Sequence, residues 1–443
     1  MSLILEQQIM RKLNLRLIPF LIFLYVVSYL DRVNVSFAAL TMNKDIGLNP
    51  YIYGWGAGIF FIGYCAFEVP SNIALVRFGA RRWIARILFS WGLAAGAMVF
   101  VQGSTSFLSI RFILGAAEAG YFPGVILFLT YWFPARYRAR IISRFMLAIP
   151  LSLAVGAPMS TWILQHSNGL MGLRGWQWLY LLEGLPALLG AIAVLLFLPD
   201  SPVKAGWLSQ EEKAWIAREL VMDAEKIDSV AKPGIWQAFS NPVIWLFGFV
   251  YFAATGSNLG ISMFLPQMIK AQGFSTTQTG FMSAVPYIFG IIGMLAIGHS
   301  SDHFKERKWH LIVSLLLIAG GLGLAGYLGN GVTALMLICV ASVGIMGCKG
   351  PFWPLPSAYL TGAGAAAGIA LINSLGNLGG FVGPYLLGLA KHSTNSYSGG
   401  LYSLSGACFL AVFVTFFTVK VKKGAVTASV DPLPDSKFPS VQS

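Results

Sequence analysis

The sequence predicts an all-α membrane protein of twelve transmembrane helices arranged as two pseudo-symmetric six-helix bundles. Three observations carry that expectation. The first is composition: the 443 residues are 56% apolar and only 11% charged, against roughly 45–50% and about 25% in globular chains. The second is distribution. The apolar residues fall in many runs, each near the ~20 residues a helix needs to cross the hydrocarbon core. They are not gathered in one anchor, which excludes a soluble enzyme tethered by a single helix; a disordered or fibrous chain is excluded by the apolar content itself. The third is repetition. Arg81-Arg82-Trp83 and Arg307-Lys308-Trp309 lie 226 residues apart, as do Gly156-Ala157-Pro158 and Val382-Gly383-Pro384. Two matches at one offset indicate an internal duplication.

The elements follow in order. Residues 1–16 are polar and lead into an apolar run too long for a signal-peptide core, with no small-residue cleavage site, so the first span is expected to be retained. Spans 1 to 6 are predicted at 17–40, 52–76, 84–101, 107–132, 141–164 and 176–198. The polar stretch 199–241, with Glu211, Glu212, Lys213, Arg218, Glu219 and Asp223, reads as a solvated amphipathic linker. Spans 7 to 12 are predicted at 242–264, 276–299, 310–328, 332–360, 366–390 and 400–420. The expected units are therefore an N-terminal bundle over 1–198, a cytoplasmic linker over 199–241, a C-terminal bundle over 242–423 and a disordered cytoplasmic tail over 424–443.

The net charge of +13 would suggest nucleic acid in a soluble chain. Here position explains it. With both termini in the cytoplasm, 23 of the 30 Lys and Arg residues fall in the tails and loops on that side. Lys44, Arg174, Lys270 and Lys391 fall on the other, so the positive-inside rule fixes the orientation. No nucleic acid partner is expected. The cysteines Cys65, Cys339, Cys348 and Cys408 lie in apolar stretches without metal-ligand spacing, and read as small buried hydrophobes. No phosphate-binding loop, catalytic triad or zinc spacing appears, so neither a cofactor, a metal nor an enzymatic activity is expected.

Three basic residues, Arg32, Arg111 and Lys349, fall inside spans, as do four acids, Asp31, Glu68, Glu118 and Glu183. Charges at bilayer depth are costly and mark function or a structural ion pair. Asp31 and Arg32 point about 100° apart on a helix and cannot serve one partner. The planar fork of Arg32 suits a carboxylate, which makes it the expected substrate anchor. Arg111 and Glu118 lie on one face about 10 Å apart along the axis. That suits an Arg–carboxylate relay, with Asp31 near Arg111 and Glu118 deeper. Glu68, before Val69-Pro70 near the end of span 2, reads as a helix-end or gate residue, and Glu183 as a pairing group to a neighbouring helix. Lys349 falls near mid-membrane in the glycine- and proline-rich run 347–356, which loosens the helix to line a cavity. It either grips the second end of a dianion or pairs with a carboxylate such as Asp31. Asn373 either ligates substrate or joins helices beside Gly376 and Gly379. His299, His303 and His310 read as loop residues.

Several of these stretches resemble a known family. The twelve spans in two repeats, the basic loop after span 2, Gly298-His-Ser-Ser-Asp302 after span 8 and the Gly-Pro motif in span 5 resemble the major facilitator superfamily. Tyr29-Leu-Asp-Arg-Val-Asn34, Arg111-Phe-Ile-Leu-Gly-Ala-Ala-Glu118, Trp132-Phe-Pro134 and Asn373-Ser-Leu-Gly-Asn377 resemble its anion:cation symporter family. That family includes bacterial importers of sugar acids, tartrate and aromatic acids, and vesicular glutamate and sialic acid carriers. The resemblance implies proton coupling through Asp31 and Glu118, substrate binding by Arg32, and cavity positions at Tyr29, Tyr64 and Trp353. It implies a monomer in the bacterial inner membrane. It also implies gating contacts at Arg81 and Asp302. The superfamily's acid in the span 2–3 loop is missing, since 75–79 reads Leu-Val-Arg-Phe-Gly, so a gate resting on it must work differently.

The expected function is alternating-access symport of protons with a small organic anion. A tartrate-like hydroxylated dicarboxylate or sugar acid competes with an aromatic carboxylate as substrate. An exchanger or uniporter of the same fold is the rival reading.

Overall fold

The structure, a computed structural model, describes residues 3–146, 148–228, 240–329, 331–359 and 364–419. Among these the regular elements are all helices. Residues 229–239 of the linker and the predicted tail 424–443 lie outside the described residues.

Eleven helical segments are long and apolar enough to cross a membrane. The remaining predicted span, Gly364–Thr394, is 31 residues long but carries seven glycines and two asparagines. It packs against spans 2 and 7 inside the bundle, where close approach matters more than affinity for lipid. A Cβ on Gly383 would lie 2.1 Å from the carbonyl oxygen of Gly256 in span 7 (Pro242–Lys270). Small residues allow helices to pack this closely where lipid gives no hydrophobic drive.

Most predicted spans extend further than the hydropathy suggests. Span 1 runs from Leu3 to Asp45, because the polar residues before 17 continue the helix beyond the apolar stretch. Spans 2 and 7 each begin with an Asn cap and a proline. Asn49 accepts from the Ile52 amide before Pro50, and Asn241 from the Val243 amide before Pro242. Proline loses nothing at the first helical turn, where its missing N–H would have had no partner.

Two spans break in the middle. Span 4 is two helices, Ser104–Glu118 and Tyr121–Thr130, separated at Gly120, whose φ is +83°. Span 10 is three pieces, Val332–Gly347, Lys349–Phe352 and Pro354–Tyr359. These are equivalent helices of the two repeats, since Gly120 shifted by 226 falls on Met346. The interruption of span 10 follows its glycines and prolines. The one in span 4 is not foreseen from its sequence.

The linker contains a helix, Gln210–Asp228, capped reciprocally: Ser209 Oγ accepts from the Glu212 amide and Glu212 accepts from the Ser209 amide. Ion pairs pin it to the N-terminal bundle, with Lys12–Glu212 at 2.6 Å and Arg136–Glu219 at 2.7 Å. Trp207 stacks on Trp132 at 5.8 Å. These contacts mark one end of the molecule as the linker face.

Candidate functional site

A cavity of about 100 Å³ lies between the two halves. Its charged lining is Arg32 and Lys349; Tyr25, Tyr29, Tyr64, Tyr251, Trp353, Asn258 and Asn373 supply rings and polar groups. Span 1 positions Arg32, and the break in span 10 positions Lys349. No ion pair or hydrogen bond holds Lys349 among the described residues. The expected alternative pairing of Lys349 with Asp31 is therefore not what the structure shows.

Arg32 is engaged. Its Nη2 donates to Glu118 Oε1 at 2.5 Å, and Ser28 Oγ donates to the same oxygen at 2.8 Å. The guanidinium also lies 5.3–6.0 Å from the rings of Tyr29, Phe60, Phe61 and Tyr64. Such a ring cage stabilises a cation away from water. The second Glu118 oxygen is buried with no hydrogen-bond partner among the described residues.

Asp31 points away from the cavity, as its 100° offset from Arg32 requires. Trp91 Nε1 donates to its Oδ2 at 2.7 Å and Asn34 Nδ2 to its Oδ1 at 3.2 Å. Arg111 is fully buried and donates to the carbonyls of Gly56 and Ala57 at 3.0 and 3.3 Å. The residues of the expected relay, Asp31 and Arg111, make no hydrogen bond or ion pair with each other among the described residues. Arg111 makes no ion pair among the described residues, because span 2 carbonyls occupy it, and the arginine that meets Glu118 is Arg32.

Glu68 is buried and accepts from Asn373 Nδ2 at 3.4 Å. This joins the N-terminal half to the C-terminal half, so Asn373 both lines the cavity and bridges helices. Near the linker face, Asp302 pairs with Arg307 at 2.5 Å. In the first half the missing loop acid has a replacement. Asp200, after span 6, accepts from the Arg81 amide at 3.1 Å and pairs with Lys204 at 3.3 Å. The Arg81 guanidinium donates to the Leu195 carbonyl. A carboxylate from the loop after span 6 thus meets the start of span 3 (Ala80–Ala97).

Two polar cavity residues of span 7 are absent from the sequence expectations, Thr255 and Asn258. The repeat offset points to both. Asn258 is 226 residues after Arg32 and Thr255 is 226 after Tyr29.

The halves close against each other at the end opposite the linker. A Cβ on Gly54 would lie 2.7 Å from the Pro384 carbonyl oxygen, and one on Gly280 only 1.9 Å from Thr161 Oγ1. Thr277 Oγ1 donates to Gln165 Oε1 across the same seam at 2.5 Å.

Comparison with known proteins agrees with this architecture. The family model described as Major Facilitator Superfamily matches residues 21–384. A protein named "Putative tartrate transporter" from Agrobacterium vitis is 44% identical, covering 95% of this chain and 94% of that protein. One named "Quinolone resistance transporter" from Acinetobacter baumannii is also 44% identical, covering 93% and 95%. Among solved structures, a bacterial homolog of the human lysosomal transporter Spinster superposes with a TM-score of 0.74 at 14% identity, covering 90% of this chain and 95% of that one. With two six-helix halves around a charged cavity, the chain belongs to the Major Facilitator Superfamily and is an integral membrane transporter.

Proposed function

We propose that the protein imports a small organic anion together with protons, by alternating access, as a member of the anion:cation symporter family. The linker face is the cytoplasmic one and the membrane is the bacterial inner membrane, with both termini inside and the protein acting as a monomer. One observation carries the reading: Arg32 and Lys349, from opposite halves, face one small cavity. Two cations suit the two ends of a dicarboxylate. The name of the Agrobacterium relative, "Putative tartrate transporter", supports a hydroxylated dicarboxylate or sugar acid.

The geometry supplies a coupling mechanism. Glu118 already holds Arg32, so an incoming carboxylate competes with it for the guanidinium. A displaced Glu118, buried and without its cation, is costly as an anion and takes up a proton. Substrate and proton then travel together. When the substrate leaves, Arg32 returns to Glu118 and the proton is released. Lys349 holds the other carboxylate, while Asn258 and Asn373 offer amides to hydroxyl groups.

Uptake into proteoliposomes with an internal pH dye tests this. Adding L-tartrate should acidify the lumen. Glu118→Gln should lose accumulation against a gradient while keeping counterflow exchange. Accumulation by that variant would sink the assignment, and uptake without acidification would favour an exchanger or uniporter. A second reading, an aromatic carboxylate as substrate, is favoured by the rings of Tyr25, Tyr29, Phe122, Tyr251 and Trp353 around the cavity. Competition of tartrate uptake by 4-hydroxyphenylacetate distinguishes the two.

A further inference from the structure

A second opening lies on the outside of the C-terminal half, near the linker face. It is a groove of about 420 Å³ lined by Ala296, Ile297, Ser300, Trp309, His310 and Val313, between spans 8 and 9 (Thr276–His303 and Lys308–Leu328). The lining residues fall within about 10 Å of the two helix ends that meet there, where acyl chains give way to headgroups. Trp309 and Val313 are each 50% exposed. The mouth of the groove is basic, and its acids are engaged. Asp302 pairs with Arg307 at 2.5 Å. Glu306 accepts from the Trp309 and His310 amides and lies 2.9 Å from His310 Nδ1, while His310 Nε2 meets Ser300 Oγ at 2.9 Å. Lys305 and Lys308 make no ion pair among the described residues. The Lys308 ammonium lies 5.9 Å from the Trp309 ring and 4.8 Å from that of Phe416 in span 12 (Ser398–Thr418), so it stands beside the groove.

The internal repeat supplies a contrast. Trp83 is the counterpart of Trp309 at the offset of 226. Its indole N–H donates to Ser71 Oγ at 3.0 Å, its ring stacks on Phe78 at 5.5 Å, and Arg86 lies 4.4 Å from it. In the second half the position of Ser71 is taken by Ile297, which lines the groove and cannot accept a hydrogen bond. The Trp309 indole N–H has no partner among the described residues. We infer that the groove holds one anionic phospholipid of the leaflet at the linker face. Its phosphate meets the Lys308 ammonium and the Trp309 indole N–H, and one acyl chain lies along Ala296, Ile297 and Val313. Charge selects the headgroup. A zwitterionic lipid would bring its own cation against Lys308, whereas near a membrane surface each Lys favours an acidic lipid by about fivefold. Tryptophan suits this depth, with an apolar ring and one polar edge. The groove is separate from the central cavity and from the seam between the halves, so its occupancy does not depend on the transported solute.

The test places purified protein in dioleoylphosphatidylcholine vesicles that contain a small fraction of brominated lipid, which quenches nearby indoles. The chain has 13 tryptophans, so the Trp309 share is read as the difference between the parent and Trp309→Phe. Brominated phosphatidylglycerol should quench that share at about one fifth of the mole fraction that brominated phosphatidylcholine needs. Lys308→Gln, read against the same variant carrying Trp309→Phe, should lose most of this preference, whereas Lys308→Arg should keep it. In the parent the preference should also shrink as salt rises from about 0.1 M to about 1 M. Equal quenching by the two lipids overturns the site. So does a preference that survives Lys308→Gln or, should that variant not fold, one that survives the high salt. Release of brominated phosphatidylglycerol by sn-glycerol 3-phosphate alone would assign the cations to a soluble phosphate ester and equally overturn the lipid.

Discussion

Arg32 illustrates how one residue is made tolerable at membrane depth and still left usable. It shares a 2.5 Å contact with Glu118 and sits among four aromatic rings. Removing one partner of a buried pair leaves an uncompensated charge, at a cost of about 3–5 kcal/mol. Arg32→Ala is therefore expected to lower thermal stability sharply as well as abolish tartrate binding. Adding Glu118→Gln should restore much of the stability but none of the binding, and a double-mutant cycle on unfolding temperature checks this. If the double variant is no more stable than Arg32→Ala, Glu118 is not the group left stranded. Lys349 should behave differently, because no ion partner depends on it. Lys349→Ala is expected to leave stability nearly unchanged while weakening tartrate binding about tenfold, a loss of ~1.4 kcal/mol, read by calorimetry. The buried charges themselves were legible in the sequence, since a charge in an apolar run is conspicuous. Their partners were not. Helical geometry says that Asp31 and Arg32 diverge, but not which neighbouring helix meets each. That depends on bundle packing, and so the direct pairing of Glu118 with Arg32 was not legible. Asn258 was overlooked because an amide in an apolar run is less conspicuous than a charge, although the repeat offset marks it.

Spans 4 and 10 are the elements that make the site. Both break midway, and the breaks fall beside Glu118 and at Lys349. Gly120 forms the first break with a left-handed φ of +83°, and a Cβ there would lie 2.3 Å from Ser71 Oγ. Gly120→Ala should thus destabilise by about 1–3 kcal/mol and impair uptake, measured by thermal unfolding and proteoliposome assay; a neutral effect would mean that the break is not required. The linker helix makes a prediction in pH. Burial pushes the Glu212 carboxyl up, but hydrogen bonds from Lys12 and from the Ser209 amide outweigh it and hold it below the ordinary carboxylate value. A lowered folded value stabilises above the unfolded pKa of about 4.3, and that stabilisation disappears as pH falls through the folded value. Amide exchange over 210–223 should accelerate below about pH 4, and Lys12→Ala should produce the same loosening at neutral pH. This helix was readable as an amphipathic linker from its charge pattern. Its docking was not, because Trp132 and Arg136 meet Trp207 and Glu219 only in three dimensions.

At the scale of the whole molecule, the cavity exists because the halves touch closely at one end. That closeness depends on missing side chains. Gly280 of span 8 (Thr276–His303) lies against Thr161 and the Ala157 carbonyl of span 5, where a Cβ would come within 1.9 and 2.9 Å. Both obstructions belong to the opposite half, so a larger residue at 280 should not disturb packing within its own bundle. It should instead hold the seam apart. Gly280→Leu is expected to fold, to keep the linker helix docked, and to favour the arrangement in which the cavity opens away from the linker face. Transport requires both arrangements, so uptake should fall while tartrate binding persists. Spin labels at positions 165 and 277, whose native side chains touch across the seam, provide the measure. Their separation should be short in the parent and longer in Gly280→Leu. An unchanged distance together with full uptake would show that the seam absorbs the side chain without opening, and that the glycine contact does not control which face of the molecule is closed.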